Sequence, residues 1–286
     1  MAYALSAYLM WGVLPLYFRT VSSVHPFEIV AQRVLWSVIF IAGVLLAAGR
    51  MGRLRRAVGD KRVVLTLAAT AGLIGLNWLI YVWAVLNGHV LATSLGYYLN
   101  PLVNVAMGVV VLKERLSRAQ VVAVMLAAAG VLVLALGAPD GLWISLTLAV
   151  SFASYGLLRK IVAVEALEGL AVETLILAVP AAAAIAWFAS AGALSFGTAP
   201  DVSLLLMAGG VVTALPLLLF AAGARRLRYS TVGILQFVAP TIQFGLAVLV
   251  FREPLSLAQL ACFSAIWAGL AIYLTDSIRT ARRAPA

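Results

Sequence analysis

Long apolar runs, separated by short polar connections, dominate the pattern of hydrophobic and polar positions along the chain. A helix needs roughly 17–25 predominantly apolar residues to cross the hydrocarbon core of a membrane. We expect each such run to be an α-helix, because an isolated strand would leave backbone groups unpaired in hydrocarbon. The ten predicted spans are residues 2–18, 27–48, 63–86, 91–112, 119–136, 142–158, 171–189, 202–223, 230–251 and 257–275.

The basic residues alternate between the connections. Of the 20 Lys and Arg residues, 17 lie in the second, fourth, sixth and eighth connections and the C-terminal tail. The odd-numbered connections hold only Arg19 and Arg252, and Arg33 alone lies inside a predicted span. Cytoplasmic connections carry an excess of Lys and Arg. We therefore predict a multi-pass protein of a bacterial inner (plasma) membrane with both termini in the cytoplasm.

Composition supports this membrane class and excludes others. Hydrophobic residues make up 64% of the 286 residues and charged residues 10%, whereas a soluble domain has roughly 25% charged residues. The net charge of +10 is spread over short clusters between apolar runs, so we expect a lipid bilayer as partner and no nucleic acid. The single cysteine, Cys262, cannot form a disulfide framework. No cofactor, metal site or ATP-binding motif is expected.

An internal repeat relates the two halves of the chain. Residues 91–136, shifted by 139 positions, fall on residues 230–275 without a gap. The shared features include a charged connection, which chance similarity between two apolar helices would not produce. The corresponding pairs include Pro101 and Pro240, Lys113 and Arg252, Glu114 and Glu253, Ser117 and Ser256, and Gly130 and Gly269.

Each half would contain five spans, so the two halves would enter the membrane from opposite sides. Inverted repeats of this kind are typical of transporters, because two alternative tilts of equivalent halves give inward-open and outward-open states. We predict an all-α membrane protein of ten transmembrane helices in one membrane domain. Its two inverted five-helix repeats would be residues 1–138 and 139–286. A monomer would be sufficient for this architecture.

Several motifs resemble those of RarD-type permeases. They include Asn77–Trp78, Tyr81–Val82–Trp83–Ala84, Gly88–His89, Ser94–Leu95–Gly96–Tyr97–Tyr98–Leu99–Asn100–Pro101, Arg33 with Trp36–Ser37, and Ser154–Tyr155–Gly156–Leu157. The resemblance runs nearly end to end. RarD-type permeases belong to the EamA group of the drug/metabolite transporter superfamily (DMT), which has ten helices in two inverted five-helix repeats.

The resemblance implies a permease that exports small metabolites by alternating access and is not an enzyme. Amino acids, as in the similar YddG-type amino-acid exporters, are the leading substrate class, with broad specificity. Efflux of drugs or other metabolites on the same fold is the alternative. An intramembrane enzyme would need a cluster of catalytic His, Asp and Glu residues, whereas the two histidines of this chain lie in unrelated places.

Aromatic and polar side chains within the predicted spans are the candidates for substrate binding. A pocket of ring faces, hydroxyls and amides would accept varied zwitterions. The alternative is that some of these aromatic residues anchor the helices at the membrane interface. The candidates are Trp11, Asn77, Trp78, Tyr81, Ser94, Tyr97, Tyr98, Ser154, Tyr155 and Gln236.

Prolines at symmetric places are candidate hinges, because a proline interrupts helical hydrogen bonding and can expose backbone groups to a cavity. The alternative is a packing kink without a hinge role. Glu28 and Arg33 form a candidate gate on the second span, since a guanidinium group matches a carboxylate. A local clamp at the end of that span is the alternative. The candidate hinge prolines are Pro15, Pro101, Pro216 and Pro240.

One further acidic residue, Glu173, lies near the start of the predicted seventh span. We interpret it as a first-turn acid that interacts with the helix dipole; the other reading makes it the mirrored partner of Glu28. On the first reading no Asp or Glu lies at mid-span, and passive, gradient-driven export follows as a hypothesis.

Overall fold

A computed structural model of the chain describes residues 1–87, 89–136, 141–250 and 257–283. These residues form helices and no strand. The helices are α1 (Ala2–Thr20), α2 (Pro26–Ala47), α3 (Met51–Gly59), α4 (Lys61–Leu86), α5 (Val90–Val110), α6 (Arg118–Ala135), α7 (Leu142–Ile161), α8 (Ala166–Ser190), α9 (Pro200–Arg226), α10 (Tyr229–Gln236), α11 (Val238–Leu249) and α12 (Leu257–Arg283).

The all-α prediction is confirmed for the described residues, since every predicted span falls on a helix. Six helical segments are both long and apolar enough to cross a membrane, and α6 contributes a shorter apolar segment. The six are Pro26–Ala47, Lys61–Ala84, Leu142–Ile161, Ala166–Ser190, Pro200–Arg226 and Leu257–Asp276. Gly88, the boundary at residues 138 and 139, and the predicted counterpart connection around Arg252 and Glu253 lie outside the described residues.

The helices differ from the predicted spans in several places. The second connection contains an additional short helix, α3, whose arginines remain exposed while Ala57 is buried. The ninth span is divided into α10 and α11 at Phe237, three residues before Pro240. Helix α8 begins at Ala166, five residues earlier than predicted. Glu168, which the hydrophobic pattern had placed before the helix, is therefore in its first turn, and Glu173, which the pattern had placed near the start, lies further inside.

The described helices form two compact units, and each unit takes helices from both halves of the sequence. Unit 1 consists of Met1–Val82 and Ser154–Arg226, and unit 2 of Trp83–Ala153 and Leu227–Ala286. The boundary between the predicted repeats therefore does not coincide with the division into the two units.

In unit 1, α2 is the central helix and contacts both α8 and α9, while α1 contacts α9. The start of α2 is determined by the local sequence. Pro26 occupies the first turn, and His25 Nδ1 accepts a hydrogen bond from the Phe27 N–H at 3.3 Å. Gly210 of α9 lies directly against the backbone of Trp36. Ser37 donates a hydrogen bond to the Gly210 carbonyl at 3.0 Å. The absence of a side chain at Gly210 is what lets the two helices approach so closely.

In unit 2, α6 and α12 form the most extensive helix pair, and small residues define it. Gly130 of α6 lies against the backbone of Cys262, which is buried in α12. Gly269 of α12 lies in the same way against the Ala123 carbonyl of α6. These four residues form two pairs related by the 139-position shift of the sequence repeat. Each helix therefore meets its counterpart through equivalent positions.

Glu114 joins the connection after α5 to the start of α10 in the same unit. Its carboxylate accepts hydrogen bonds from the backbone N–H groups of Tyr229, at 2.5 Å, and Ser230, at 2.9 Å. The Ser230 hydroxyl donates to it at 2.6 Å, and Arg228 Nε lies 3.9 Å away. A carboxylate at a helix N-terminus satisfies unpaired N–H groups and interacts favourably with the helix dipole.

These contacts favour the ionised form of the Glu114 carboxyl. Burial favours the neutral acid, but the hydrogen bonds from Ser230 and Tyr229 and the charge of Arg228 outweigh burial and lower the pKa of the carboxyl. A carboxyl with a lowered pKa in the folded protein stabilises the fold most above its ordinary pKa. That contribution is lost as the pH falls through the lowered value.

We predict that Gly210→Ala destabilises the protein by about 1–3 kcal/mol, because the added Cβ would overlap the Trp36 backbone. Thermal unfolding of the purified protein in detergent would measure the effect. Gly43→Ala in α2 is the matched control, since nothing lies within 4 Å of the Cβ it would add. Equal unfolding temperatures for the two variants would contradict the close approach of α2 and α9.

We predict that Glu114→Gln lowers the free energy of unfolding by about 1.5 kcal/mol at neutral pH, because hydrogen bonds to an ionised carboxylate are lost. The difference from wild type should persist down to the ordinary pKa of 4.5 and shrink at lower pH, where the wild-type carboxyl also becomes protonated. Unfolding measured across this pH range tests the prediction. Arg118→Gln, at an exposed cation beside the same connection, should show no such pH-dependent difference.

Candidate functional site

A pocket lies inside unit 1, among α2, α4, α7, α8 and α9. Half of its twelve lining residues are aliphatic. The remaining side chains supply aromatic faces, hydroxyl groups and one carboxylate. These six residues are Ser37, Trp78, Tyr155, Glu173, Thr174 and Thr213.

Glu173 is the charged residue of the pocket wall, and only 2% of its surface is exposed. The Thr70 hydroxyl donates a hydrogen bond to Oε1 at 2.5 Å, and the Tyr155 hydroxyl donates to Oε2 at 3.5 Å. Arg159 Nε lies 3.6 Å from Oε1 and supplies the opposite charge. A buried carboxylate requires such a counter-ion and donors, since removing a charge from water costs several kcal/mol.

Arg159 is held by the turn between α7 and α8. It is completely buried, and its Nη2 donates to the Ala166 carbonyl at 2.9 Å. Gly169, one turn into α8, leaves the space that the guanidinium group fills, because a Cβ there would overlap it. The last turn of α7 and the first turn of α8 thus place the cation beside Glu173.

The interpretation of Glu173 as a first-turn acid is wrong. Because α8 begins at Ala166, Glu173 is the eighth residue of the helix and lies about 10 Å from its start. Glu168 is the first-turn acid. The expectation that Arg33 is the one basic residue inside a span, and that no acid lies at mid-span, is also wrong, because Arg159 is buried near the end of α7 and Glu173 is buried in the interior of α8. The argument for passive transport therefore loses its basis.

In the alternative interpretation, Glu173 was the mirrored partner of Glu28. The position of α8 that matches Glu28 is instead occupied by Glu168. Glu168 is the third residue of α8, as Glu28 is the third residue of α2, and both are buried. Glu28 accepts hydrogen bonds at 3.0 Å from the backbone N–H groups of Ser195 and Phe196, which follow α8. Glu168 pairs at 2.8 Å with Arg50, which follows α2. Each carboxylate thus binds the connection that follows the other helix.

Arg33 lies behind the pocket wall. Its Nε donates a hydrogen bond to the Thr213 hydroxyl at 2.6 Å. Its guanidinium group lies over the rings of Trp78, at 5.6 Å, and Phe18, at 5.2 Å. A cation over an aromatic face is attracted by the negative face of the ring. Because Thr213 and Trp78 both line the pocket, Arg33 gives this part of the wall a positive potential.

Arg33 and Glu173 occupy equivalent positions in their helices. Arg33 is the eighth residue of α2, and Glu173 is the eighth residue of α8. The pocket is therefore associated with a cation on one helix and an anion at the matching place of the other.

The predicted binding residues divide between the two units. In unit 1, Trp78 and Tyr155 line the pocket. Trp11 contacts Phe220, with ring centroids 5.6 Å apart, and Phe220 stacks on Tyr155 at 6.2 Å. Asn77 is buried, and Tyr81 and Ser154 are partly buried in the same unit.

The other four predicted binding residues belong to unit 2. Gln236 is buried and accepts a hydrogen bond from the Asn104 side chain at 2.6 Å. Tyr98 packs edge-on against Phe263 with ring centroids 5.4 Å apart. Ser94 is partly buried, and Tyr97 is exposed. None of these four is a lining residue of the pocket in unit 1.

The candidate hinge prolines have different surroundings. Pro15, Pro101 and Pro216 lie inside α1, α5 and α9, which continue through them. The hinge role of these three stays a prediction, since a membrane helix can continue through a proline with the loss of one backbone hydrogen bond. Pro240 does lie next to a break, in the first turn of α11.

Sequence reasoning missed several polar residues of the site. Thr70, Arg159 and Glu173 form the buried cluster, and Ser37 and Thr213 contribute hydroxyls to the wall. One signal was available: Leu170–Val172, immediately before Glu173, is apolar, so the hydrophobic run already begins on the N-terminal side of this acid. Arg159 had been counted as a cytoplasmic cation because it adjoins Lys160.

Among the described residues, no group of three or more His, Cys, Asp or Glu could hold a metal ion. The pocket has a volume of about 10 Å³, which is room for about one water molecule, so a larger molecule could enter only if its walls moved apart.

Comparisons with known proteins agree with this fold. A model of the EamA-like transporter family matches residues 1–136. The protein RarD of Streptomyces exfoliatus is 45% identical over 285 residues, which cover 99% of this chain and 90% of that protein. The chloramphenicol-sensitive protein RarD of Pseudomonas aeruginosa is 34% identical over 98% of this chain and 95% of its own length. A crystal structure that is 22% identical superimposes with a TM-score of 0.74 over 95% of this chain and 96% of the other, which shows the shared fold.

We predict that replacing either member of the buried pair alone, by Glu173→Leu or Arg159→Leu, destabilises the protein by about 3–5 kcal/mol, because the remaining charge is left without its counter-ion. The double variant should lose far less than the sum of the two, because an apolar pair leaves no buried charge. Unfolding of all three variants in detergent measures the coupling. Additive losses would show that Glu173 and Arg159 do not depend on each other.

Proposed function

Because the chain belongs to the EamA-like transporter family, we propose that it exports small metabolites, chiefly amino acids, across the bacterial inner membrane by alternating access. The observation that carries this proposal is the pocket inside unit 1, which combines an apolar wall with Trp78, Tyr155, three hydroxyls and Glu173. Such a wall offers packing surface for varied side chains and a few polar groups for the common part of an amino acid.

An inverted repeat of ten spans is part of the proposal, and the composition of the pocket supports it. Helices α2 and α8 begin 140 positions apart, and α4 and α9 begin 139 positions apart. At these offsets, four pairs of equivalent residues line the pocket. They are Val34 and Thr174, Ser37 and Leu177, Ile74 and Thr213, and Trp78 and Leu217. A pocket built from matching positions of two halves is what a twofold relation between them produces.

The contacts between equivalent helices support the same relation. Helix α2 contacts α8, α5 contacts α10, and α6 contacts α12, and each pair joins counterparts of the two halves. A transporter of this design exposes its site to each side of the membrane in turn by tilting equivalent elements. The excess of Lys and Arg in the even-numbered connections supports an orientation with both termini in the cytoplasm.

Efflux of a drug or another metabolite is the second candidate function. It is supported by the name of the Pseudomonas aeruginosa relative, a chloramphenicol-sensitive protein RarD. An uncharged drug would bind mainly through the apolar and aromatic wall and would not require Glu173.

We predict that the purified protein, reconstituted into liposomes, transports radiolabelled leucine and that other apolar amino acids compete with it. Trp78→Ala should lower the initial rate at least fivefold, because it removes an aromatic wall of the pocket. Trp187→Ala is the matched control, since this tryptophan of α8 is 63% exposed and outside the pocket wall.

Two results would contradict the proposal. If no amino acid is transported but chloramphenicol is, the second candidate function replaces the first. If Trp78→Ala and Trp187→Ala both transport at the wild-type rate, the pocket of unit 1 is not the transport site.

A further inference from the structure

Five exposed cations lie close together in α3 and at the start of α4. They form what we call the α3 surface: Arg53, Arg55 and Arg56 of α3 and Lys61 and Arg62 of α4. We propose that the α3 surface is a binding site for the phosphate group of anionic phospholipids. The inference concerns the membrane around the protein and does not depend on which small molecule is transported.

The α3 surface lies at the level of the lipid headgroups. Helix α3 has nine residues and joins Pro26–Ala47 to Lys61–Ala84, two segments that are each long and apolar enough to cross a membrane. A short helix between two adjacent spans is therefore at the membrane surface. Val58 of α3, which is 54% exposed, fits this location, since interfacial helices combine basic and apolar exposed side chains. Phospholipid phosphates are thus the nearest abundant anions.

Packing holds α3 in one orientation. Its Ala57 is buried and its Leu54 is partly buried, and both belong to a cluster of apolar side chains from the surrounding elements. At the start of α3, Arg50 pairs with the buried Glu168 of α8 at 2.8 Å. The arginines of the α3 surface therefore remain on the exposed side of a helix with a fixed position, and a preformed site loses little conformational entropy when a ligand binds. The other members of the apolar cluster are Val63 and Leu67 of α4, Val162 and Val164 after α7, and Val172 of α8.

The side chains of the α3 surface suit a phosphate. Arg53 and Arg56 are three positions apart on α3 and are therefore neighbours on its surface. A guanidinium group can donate two parallel hydrogen bonds to a phosphate. In the part of the chain that the structure describes, no carboxylate lies within 4.0 Å of a side-chain nitrogen of these five cations. Their donors are thus available to a headgroup.

Asp60 is the one acidic residue in this stretch, and its carboxylate caps α4. Its Oδ1 accepts hydrogen bonds from the backbone N–H groups of Arg62, at 2.9 Å, and Val63, at 3.3 Å. Lys61 and Arg62 are the first two residues of α4, where the positive end of the helix dipole disfavours cations and favours anions. Five cations and one carboxylate leave a net positive charge, which an anionic headgroup compensates.

Wild-type protein purified in detergent tests the inference with two lipids that differ in headgroup charge. Phosphatidylglycerol should raise the unfolding temperature, because a ligand that binds only the folded state stabilises it. Phosphatidylcholine with the same acyl chains should raise it much less, since its choline group cancels the charge of its phosphate. The difference should shrink at high salt, which screens exposed charges. Equal shifts for the two lipids at low salt would overturn the inference.

Inorganic phosphate and glycerol 3-phosphate distinguish a lipid site from a site for a soluble phosphate. At the concentration at which phosphatidylglycerol acts, neither should change the unfolding temperature, because neither has the acyl chains that keep a headgroup at the level of α3. An equal shift with either soluble anion would overturn the assignment to lipid.

A triple variant, Arg53→Gln with Arg55→Gln and Arg56→Gln, assigns the site. Its Kd for phosphatidylglycerol, measured by native mass spectrometry, should rise by at least about tenfold, since each interfacial Lys or Arg adds to the attraction of anionic lipid. The three side chains are exposed, so the unfolding temperature without lipid should stay close to that of the wild type. An unchanged Kd would overturn the inference.

The matched control removes three exposed cations from another connection, by Lys113→Gln with Arg115→Gln and Arg118→Gln. It lowers the net charge by the same amount and should bind phosphatidylglycerol with a Kd close to that of the wild type. If both triple variants lose affinity equally, the lipid responds only to the overall charge of the protein, and the inference fails.

Discussion

The cost of removing a charge from water governs the interior of unit 1, because each described charge there requires a compensating group. Glu173 has Arg159, Glu168 has Arg50, and Glu28 has two backbone N–H groups. Arg33 has a hydroxyl and two aromatic rings. These contacts join α2, α7, α8 and α9 more specifically than apolar packing could, since lipid and helix surfaces are equally apolar. The charged contacts that join these helices thus also determine the electrostatic potential of the pocket.

Small residues supply the second requirement, the close approach of backbones. Gly210 admits α2 beside α9, Gly169 makes room for Arg159, and Gly130 and Gly269 bring α6 and α12 together. Where helices cannot gain from the hydrophobic effect, van der Waals contact and short hydrogen bonds between closely packed backbones take its place. The same glycines that allow tight packing in unit 1 therefore also fix the distances from which the pocket wall is built.

The sequence predicted the positions of the long apolar helices well, because a membrane span has a simple requirement of length and apolarity. It did not predict α3 or the division of the ninth span into α10 and α11. Trp78 and Tyr155 were also predicted, from aromatic rings beside polar neighbours. The Glu173 cluster was not, because its partners Thr70 and Arg159 lie far away in the sequence and only tertiary contacts join them. Because the predicted start of α8 was five residues too late, Glu173 was interpreted as an acid of the first helical turn, although it is buried further inside the helix. Positions that depend on a helix end or on a distant partner cannot be read from local patterns.

The opposite charges at the eighth residues of α2 and α8 have an evolutionary consequence. Under the proposed inverted repeat, an ancestral five-helix chain that assembled as an antiparallel homodimer would have carried the same residue at both places, either two cations or two anions. The present pair of opposite charges would then require that the two copies had first been duplicated and joined, so that each could change independently.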